Sequence, residues 1–236
     1  MSSSIFPTLA EYNPAAMKPA TFDLVIFDCD GVLVDSEPLA NRVFVEIVRE
    51  HGFTIDEPTY LRKFSGVTLP DRISGIAQDL NWEPPKNFIN VFDERLSILT
   101  EQELQPVQGI HELVKSISVP ICIASNGTRE EINQRLRLSK LVPFFGDSIF
   151  SGHEVSNPKP APDVYLAAAK AFDVPPSRCI VVEDSIPGVT AGIRAGMQVY
   201  GHAAFTPAEK LKEAGAIPFG DMYTLREIFA AKDILV

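Results

Sequence analysis

Four short clusters in this chain carry side chains fit for chemistry. The first is Asp28-Cys29-Asp30-Gly31, which closes the apolar run Leu24-Val25-Ile26-Phe27. Two carboxylates at i and i+2 on an extended chain project to the same side, so Asp28 and Asp30 can reach one substrate atom. Gly31 lets the chain turn with positive φ and lets backbone N–H groups approach an anion. The second cluster is Ser125-Asn126-Gly127, at the end of an apolar run and just ahead of a helical pattern. A hydroxyl, an amide and unpaired backbone N–H groups at such a place form an anion site. The third is Lys159, held between Pro158 and Pro160, whose stiff backbone gives the side chain a fixed direction. The fourth is Glu183-Asp184-Ser185, where adjacent acids at the end of a buried strand are costly unless they meet a cation.

Each cluster alone also has an ordinary reading. Strand-end aspartates, Ser125, Asn126 and Ser185 serve as turn formers or helix caps, and Lys159 serves as a solvated loop residue. Together they suit phosphoryl transfer. Mg2+ takes a few carboxylates plus substrate oxygens and water, and the transferring group needs positive charge around its equatorial oxygens. Monoester hydrolysis is among the slowest uncatalysed reactions, and a covalent carboxylate nucleophile with electrostatic clamping splits that barrier.

The elements that must position these groups follow from periodicity. Buried strands are predicted over 23–28, 119–125 and 178–183, with a short strand candidate over 148–151 and a further strand over 197–200. Helices are predicted over 39–51, 58–64, 70–80, 84–99, 108–116, 128–141, 161–172 and 187–195, with short helices in the tail. Thr128 and Glu131 supply a capping box. Strands alternating with helices predict an α/β fold, a doubly wound parallel Rossmann-like sheet, over 21–35 and 106–236. The all-helical stretch over 36–105 falls after the first strand and reads as an inserted cap. Residues 1–20, with three prolines and little periodicity, read as a poorly ordered, flexible lead-in.

Composition narrows the class further. With 45% hydrophobic and 22% charged residues the chain has material for a sizeable core and is not of disordered type. A net charge of −10 argues against nonspecific nucleic-acid binding. Cys29, Cys122 and Cys179 are widely spaced, lie in apolar runs and show no metal pattern, so they read as small buried hydrophobes. No leader-like apolar run opens the chain, and no stretch approaches about 18 apolar residues. The expectation is a cytoplasmic protein without a membrane partner, monomeric or weakly dimeric.

In order and spacing the four clusters resemble the motifs of the haloacid dehalogenase superfamily. The likeness spans 22 to about 200, and the helical insertion is similar to that of its β-phosphoglucomutase-like branch. The resemblance implies that Asp28 is the nucleophile forming an aspartyl phosphate. Asp30 would protonate the leaving oxygen and then deprotonate the attacking water. Ser125, Asn126 and Gly127 would hold the phosphoryl group, and Lys159 would balance the charge of Asp28 and the phosphate. Asp184, the Asp28 carboxylate and the backbone carbonyl of Asp30 would bind Mg2+, with Glu183 a second-shell or auxiliary ligand.

Asp30 separates phosphate chemistry from dehalogenation within this superfamily. A phosphonate hydrolase would need a cap lysine, and none occurs between Lys18 and Lys63. A sugar-phosphate mutase is the main alternative. β-Phosphoglucomutases carry a histidine twelve positions after the nucleophile, where this chain has Ala40. They also carry a cap-loop arginine at the position of Leu69. Hydrolysis of a small phosphorylated metabolite, of the sugar-phosphate kind, is therefore the favoured reading. A receiver-like signalling module would lack both Asp30 and the insertion. Arg62, Lys63 and Arg72 border the loop expected to choose substrate, although solvated helix faces account for each; His51, His111, His153 and His202 receive no role.

Overall fold

A computed structural model of the chain describes residues 22–56, 60, 63–64 and 67–236. The lead-in predicted over 1–20, Arg62 and most of the helix predicted over 58–64 lie outside them. The core is a six-stranded sheet of β1 (Leu24–Phe27), β2 (Ile121–Ser125), β3 (Ile149–Ser151), β4 (Cys179–Glu183), β5 (Gln198–His202) and β6 (Ile217–Phe219). Its order is β3-β2-β1-β4-β5-β6, and every neighbouring pair is parallel. The chain first winds outward through β2 and β3, then returns to the other side of β1 through β4. The strand order therefore reverses between β1 and β4, and the crevice at their carboxyl ends is where such sheets bind ligands.

Both faces of the sheet are buried, which is why its strands read as unbroken apolar runs. Val25, Phe27, Ile123, Ile180 and Val182 pack on one face, and Leu24, Ile26, Cys122, Ala124 and Val181 on the other. The period-2 alternation appears only in which face each side chain meets. All three cysteines are free and buried.

Between β1 and the next core helix lie α1 (Glu37–Glu50), α2 (Leu69–Leu80) and α3 (Phe88–Glu103). Val43, Phe44, Ile47, Val48, Ile76, Phe88 and Phe92 give this block its own hydrophobic cluster. The ring of Phe44 stacks on Tyr60 at 5.1 Å and meets Phe88 at 5.4 Å. The way into and out of the block run side by side. Val34 bridges Pro106, the N–H of Asp35 donates to Gln105 O at 2.9 Å, and that of Val107 donates to Leu33 O at 3.0 Å.

The core continues through α4 (Ile110–Ser116), α5 (Arg129–Leu138), α6 (Val142–Phe145), α7 (Asp163–Ala171), α8 (Ile186–Arg194), α9 (Ala208–Glu213) and α10 (Met222–Ala230). The predicted capping box opens α5: Thr128 Oγ1 accepts from Glu131 N–H at 3.3 Å, and Glu131 Oε2 accepts from Thr128 N–H at 2.7 Å. The tail differs from expectation. Alongside its short helices it holds β6, with Pro218 at its centre. An edge strand tolerates a residue that donates no ladder hydrogen bond. The fifth strand also runs to His202 rather than ending at Tyr200. Among the described residues, no helix is long and apolar enough to cross a membrane.

Candidate active site

Asp28 follows β1 directly, and its N–H donates to Val182 O of β4 at 2.9 Å, which seats it across the crevice. Lys159, on the loop between β3 and α7, reaches back into the same point. Its Nζ donates to Asp28 Oδ1 at 2.5 Å, to Glu183 Oε1 at 2.8 Å and to the Ala124 carbonyl at 2.8 Å. One buried ammonium thus ties the ends of β1, β2 and β4 together.

Glu183 is saturated with donors. Its Oε1 accepts from Lys159 and from Tyr165 Oη at 3.0 Å, and its Oε2 accepts from Asp184 N–H, Ser185 N–H and Ser185 Oγ, each at 2.9 Å. Burial opposes ionisation of Glu183, but Lys159 and the Ser185 donors outweigh it and hold its carboxyl below the usual range. Asp184 is the opposite case. Among the described residues no hydrogen bond reaches its buried carboxylate, and burial followed by the negative charge of Glu183 and Asp28 pushes its pKa well up. Burial likewise raises Asp28 to about 7, against the pull of Lys159.

Asp28, Glu183 and Asp184 each offer a carboxylate oxygen within 4.8 Å of the others. Of these three buried carboxylates Lys159 pairs with Asp28 and Glu183 and not with Asp184, and hard oxygen donors with surplus negative charge fit a divalent cation. The backbone makes room for this arrangement. Gly31 has φ 72°, and a Cβ there would lie 2.0 Å from Asp184 Oδ2. His202, to which the sequence assigned nothing, lies buried at the end of β5 and donates from Nδ1 to the Gly31 carbonyl at 2.8 Å.

Ser125 ends β2, buried, and its Oγ accepts from Gly127 N–H at 3.2 Å. The side chain of Asn126 is committed to Lys159: Oδ1 accepts from the lysine N–H at 2.9 Å and Nδ2 donates to its carbonyl at 3.2 Å. What Asn126 can offer an anion is therefore its main-chain N–H. Asp30 sits further out, and its Oδ1 accepts from Arg135 Nε at 2.8 Å. Neither Arg135 nor Tyr165 stood out in sequence. Arg135 sits on a helix with other arginines, and its only signal is its spacing: it falls on the stripe of Ile132 and Leu136, which are buried. Tyr165 sits on the apolar face of α7 and reads as core.

The sequence profile described as haloacid dehalogenase-like hydrolase matches residues 25–202. The chain belongs to this family. A 6-phosphogluconate phosphatase of Escherichia coli is 31% identical to this hydrolase over 89% of the chain and 96% of its own length. A phosphorylated carbohydrates phosphatase of Thermotoga maritima is 31% identical, covering 83% and 92%. The solved structure of a family hydrolase from Deinococcus radiodurans, with bound phosphate and sodium, superposes with a TM-score of 0.79 at 30% identity, covering 92% and 99%.

The helical block of the hydrolase faces this site across a cavity of about 140 Å³, bordered by Glu37, Thr68 and Arg72 on one side and Asp184, Ser185 and Thr206 on the other. Arg72 is not the solvated residue its helical position suggests. It is buried, and it donates to Val67 O at 3.0 Å, Asn41 Oδ1 at 2.8 Å and Glu37 Oε2 at 2.9 Å. Lys63 pairs instead with Asp79 at the surface, at 2.6 Å.

Proposed function

We propose that this hydrolase is a Mg2+-dependent phosphatase acting on a small phosphate monoester of the sugar-phosphate type, through an aspartyl phosphate on Asp28. The observation that carries this reading is Asp28 bound by Lys159 beside the undonated carboxylate of Asp184. That combination supplies a nucleophile, its counter-charge and a cation-seeking group at one point. The relatives named as phosphatases of 6-phosphogluconate and of phosphorylated carbohydrates support the same substrate class.

In this reading a carboxylate oxygen of Asp28 attacks phosphorus. The bond from phosphorus to the leaving oxygen breaks as that oxygen takes a proton from Asp30. Asp30, now ionised, takes a proton from a water whose oxygen displaces Asp28, which releases inorganic phosphate and restores both aspartates. Ser125 and the main-chain N–H of Asn126 hold phosphoryl oxygens. Lys159 fixes Asp28 and offsets the phosphate charge. Mg2+, held by Asp28, Asp184 and the main-chain carbonyl of Asp30, supplies further charge neutralisation when bound. Glu183, with both oxygens already taken, anchors Lys159. The block over 36–105 acts as a cap that excludes bulk water and favours small substrates.

Phosphorus NMR with Mg2+ and a pool of phosphate esters, including 6-phosphogluconate and β-glucose 1-phosphate, tests this. Growth of inorganic phosphate, abolished by EDTA and by Asp28→Asn, is expected. Conversion of the 1-phosphate into a 6-phosphate with little free phosphate would overturn the phosphatase in favour of a mutase.

A further inference from the structure

We propose that Arg135 is a positioning residue for this reaction, acting through Asp30. The proposal rests on the reading of Asp30 as the group that gives and takes the proton. Asp30 is the acid at the mouth of the site: its side chain is 36% exposed, against 11% for Asp28. A carboxylate so placed is free to rotate and hydrate unless something holds it. Arg135 Nε holds it by one oxygen only, Oδ1 at 2.8 Å, and among the described residues no donor reaches Oδ2. The free oxygen is thereby given a direction, and it is the one available to carry the proton.

Arg135 is itself well fixed. Its side chain is 16% exposed, on a helix locked at its start by the Thr128/Glu131 capping box and buried through Ile132 and Leu136. Its own carbonyl accepts from Ser139 Oγ at 2.7 Å. It also borders a cavity of about 190 Å³ where α5 meets α3, next to Gln134, whose Nε2 donates to Glu101 at 3.1 Å. The group that orients the proton carrier thus stands at the seam between the core and the helical block.

A positioning role makes a prediction that a packing role does not. An alkyl phosphate needs a proton on its leaving oxygen, whereas p-nitrophenyl phosphate expels a phenolate that needs none. Comparing kcat/KM for p-nitrophenyl phosphate and for the alkyl ester from the pool that the wild-type enzyme hydrolyses fastest separates the two. Arg135→Gln is expected to lower the alkyl value about 10²-fold, the loss typical of a misplaced reacting group, and the p-nitrophenyl value by less than about threefold. A retained p-nitrophenyl kcat/KM also certifies the fold, and if the glutamine variant is unstable, Arg135→Lys is expected to give a smaller loss with the same selectivity. Equal losses on both esters, no loss, or a gain would overturn the proposal. Asp30→Asn is the control: if its loss in kcat/KM is not selective for the alkyl ester, the assignment of Asp30 falls. If Asp30→Asn is selective and the Arg135 variants are not, the assignment of Arg135 alone falls.

Discussion

The side-chain amide of Asn126 closes on both backbone polar groups of Lys159, at 2.9 and 3.2 Å. It fixes the lysine backbone in the way a strand partner would, and so aims Nζ at Asp28. Asn126→Ala removes two hydrogen bonds at a part-buried place, which is expected to cost about 1–3 kcal/mol of stability in urea unfolding. It should also lower kcat/KM about 10²-fold through misplacement of the ammonium. Unchanged turnover would show that Asn126 does not aim Lys159.

Gly188 is needed for room at the start of α8. A Cβ there would stand 1.6 Å from Glu183 Oε1, and that carboxylate cannot swing aside without leaving Lys159 and Tyr165. Gly188→Ala is expected to lose about 1–3 kcal/mol of stability and most activity, although it lies outside the motif residues proper. Thermal unfolding alongside a turnover assay checks both.

The raised pKa of Asp28 has a definite sign for stability in metal-free buffer. Its unfolded value is about 3.9, and burial in the fold lifts it to about 7. Between those values the folded state keeps a proton that the unfolded state has lost, so stability from this group falls as pH rises from about 4 to 7 and stays low above that. Asp184, raised by the same cause, acts in the same sense. Asp28→Asn removes one of the two titrations. Its urea midpoint relative to wild type is therefore expected to rise from pH 4.5 to pH 8, while turnover is abolished. A pH-independent difference would contradict this account.

Divalent-ion binding should carry the complementary signature. If Mg2+ is held by Asp28 and Asp184 as proposed, it requires both ionised, so affinity is expected to climb as pH passes through about 7, with protons released on binding below it. Calorimetry in buffers of different ionisation heat measures that release. At a hundredfold excess over Kd the ion should stabilise the fold by about 2.7 kcal/mol. Asp184→Asn should remove the effect.

What the sequence revealed and what it hid follow one physical line. Leu24–Phe27 and Cys179–Glu183 are buried on both faces, so their strands stand out as apolar runs and their terminal acids stand out against them. Lys159 was visible because prolines flank it. Arg135, Tyr165 and His202 were not, because each works across the fold, toward Asp30, Glu183 and Gly31, from a helix or strand where its type is ordinary. Arg72 reads in sequence as a solvated helix residue for a related reason: its partners Glu37 and Asn41 lie on another helix. The strand Ile217–Phe219 was lost to the proline at its centre.

The pairing of 33–35 with 105–107 has a consequence for how such a chain can change. The two crossings are hydrogen-bonded neighbours, so whatever joins them begins and ends a few ångströms apart. The entropic cost of closing that gap grows only slowly with the length of the intervening segment, by about 0.6 kcal/mol for each doubling. The hydrogen bonds that seat Asp28 on Val182 and Lys159 on Ala124 and Glu183 draw on none of that segment, which meets the core instead through apolar side chains such as Leu39 and Leu104. The place works as a socket: one segment can be exchanged for another at this pair of crossings while the hydrogen bonds that seat Asp28 and Lys159 stay where they are.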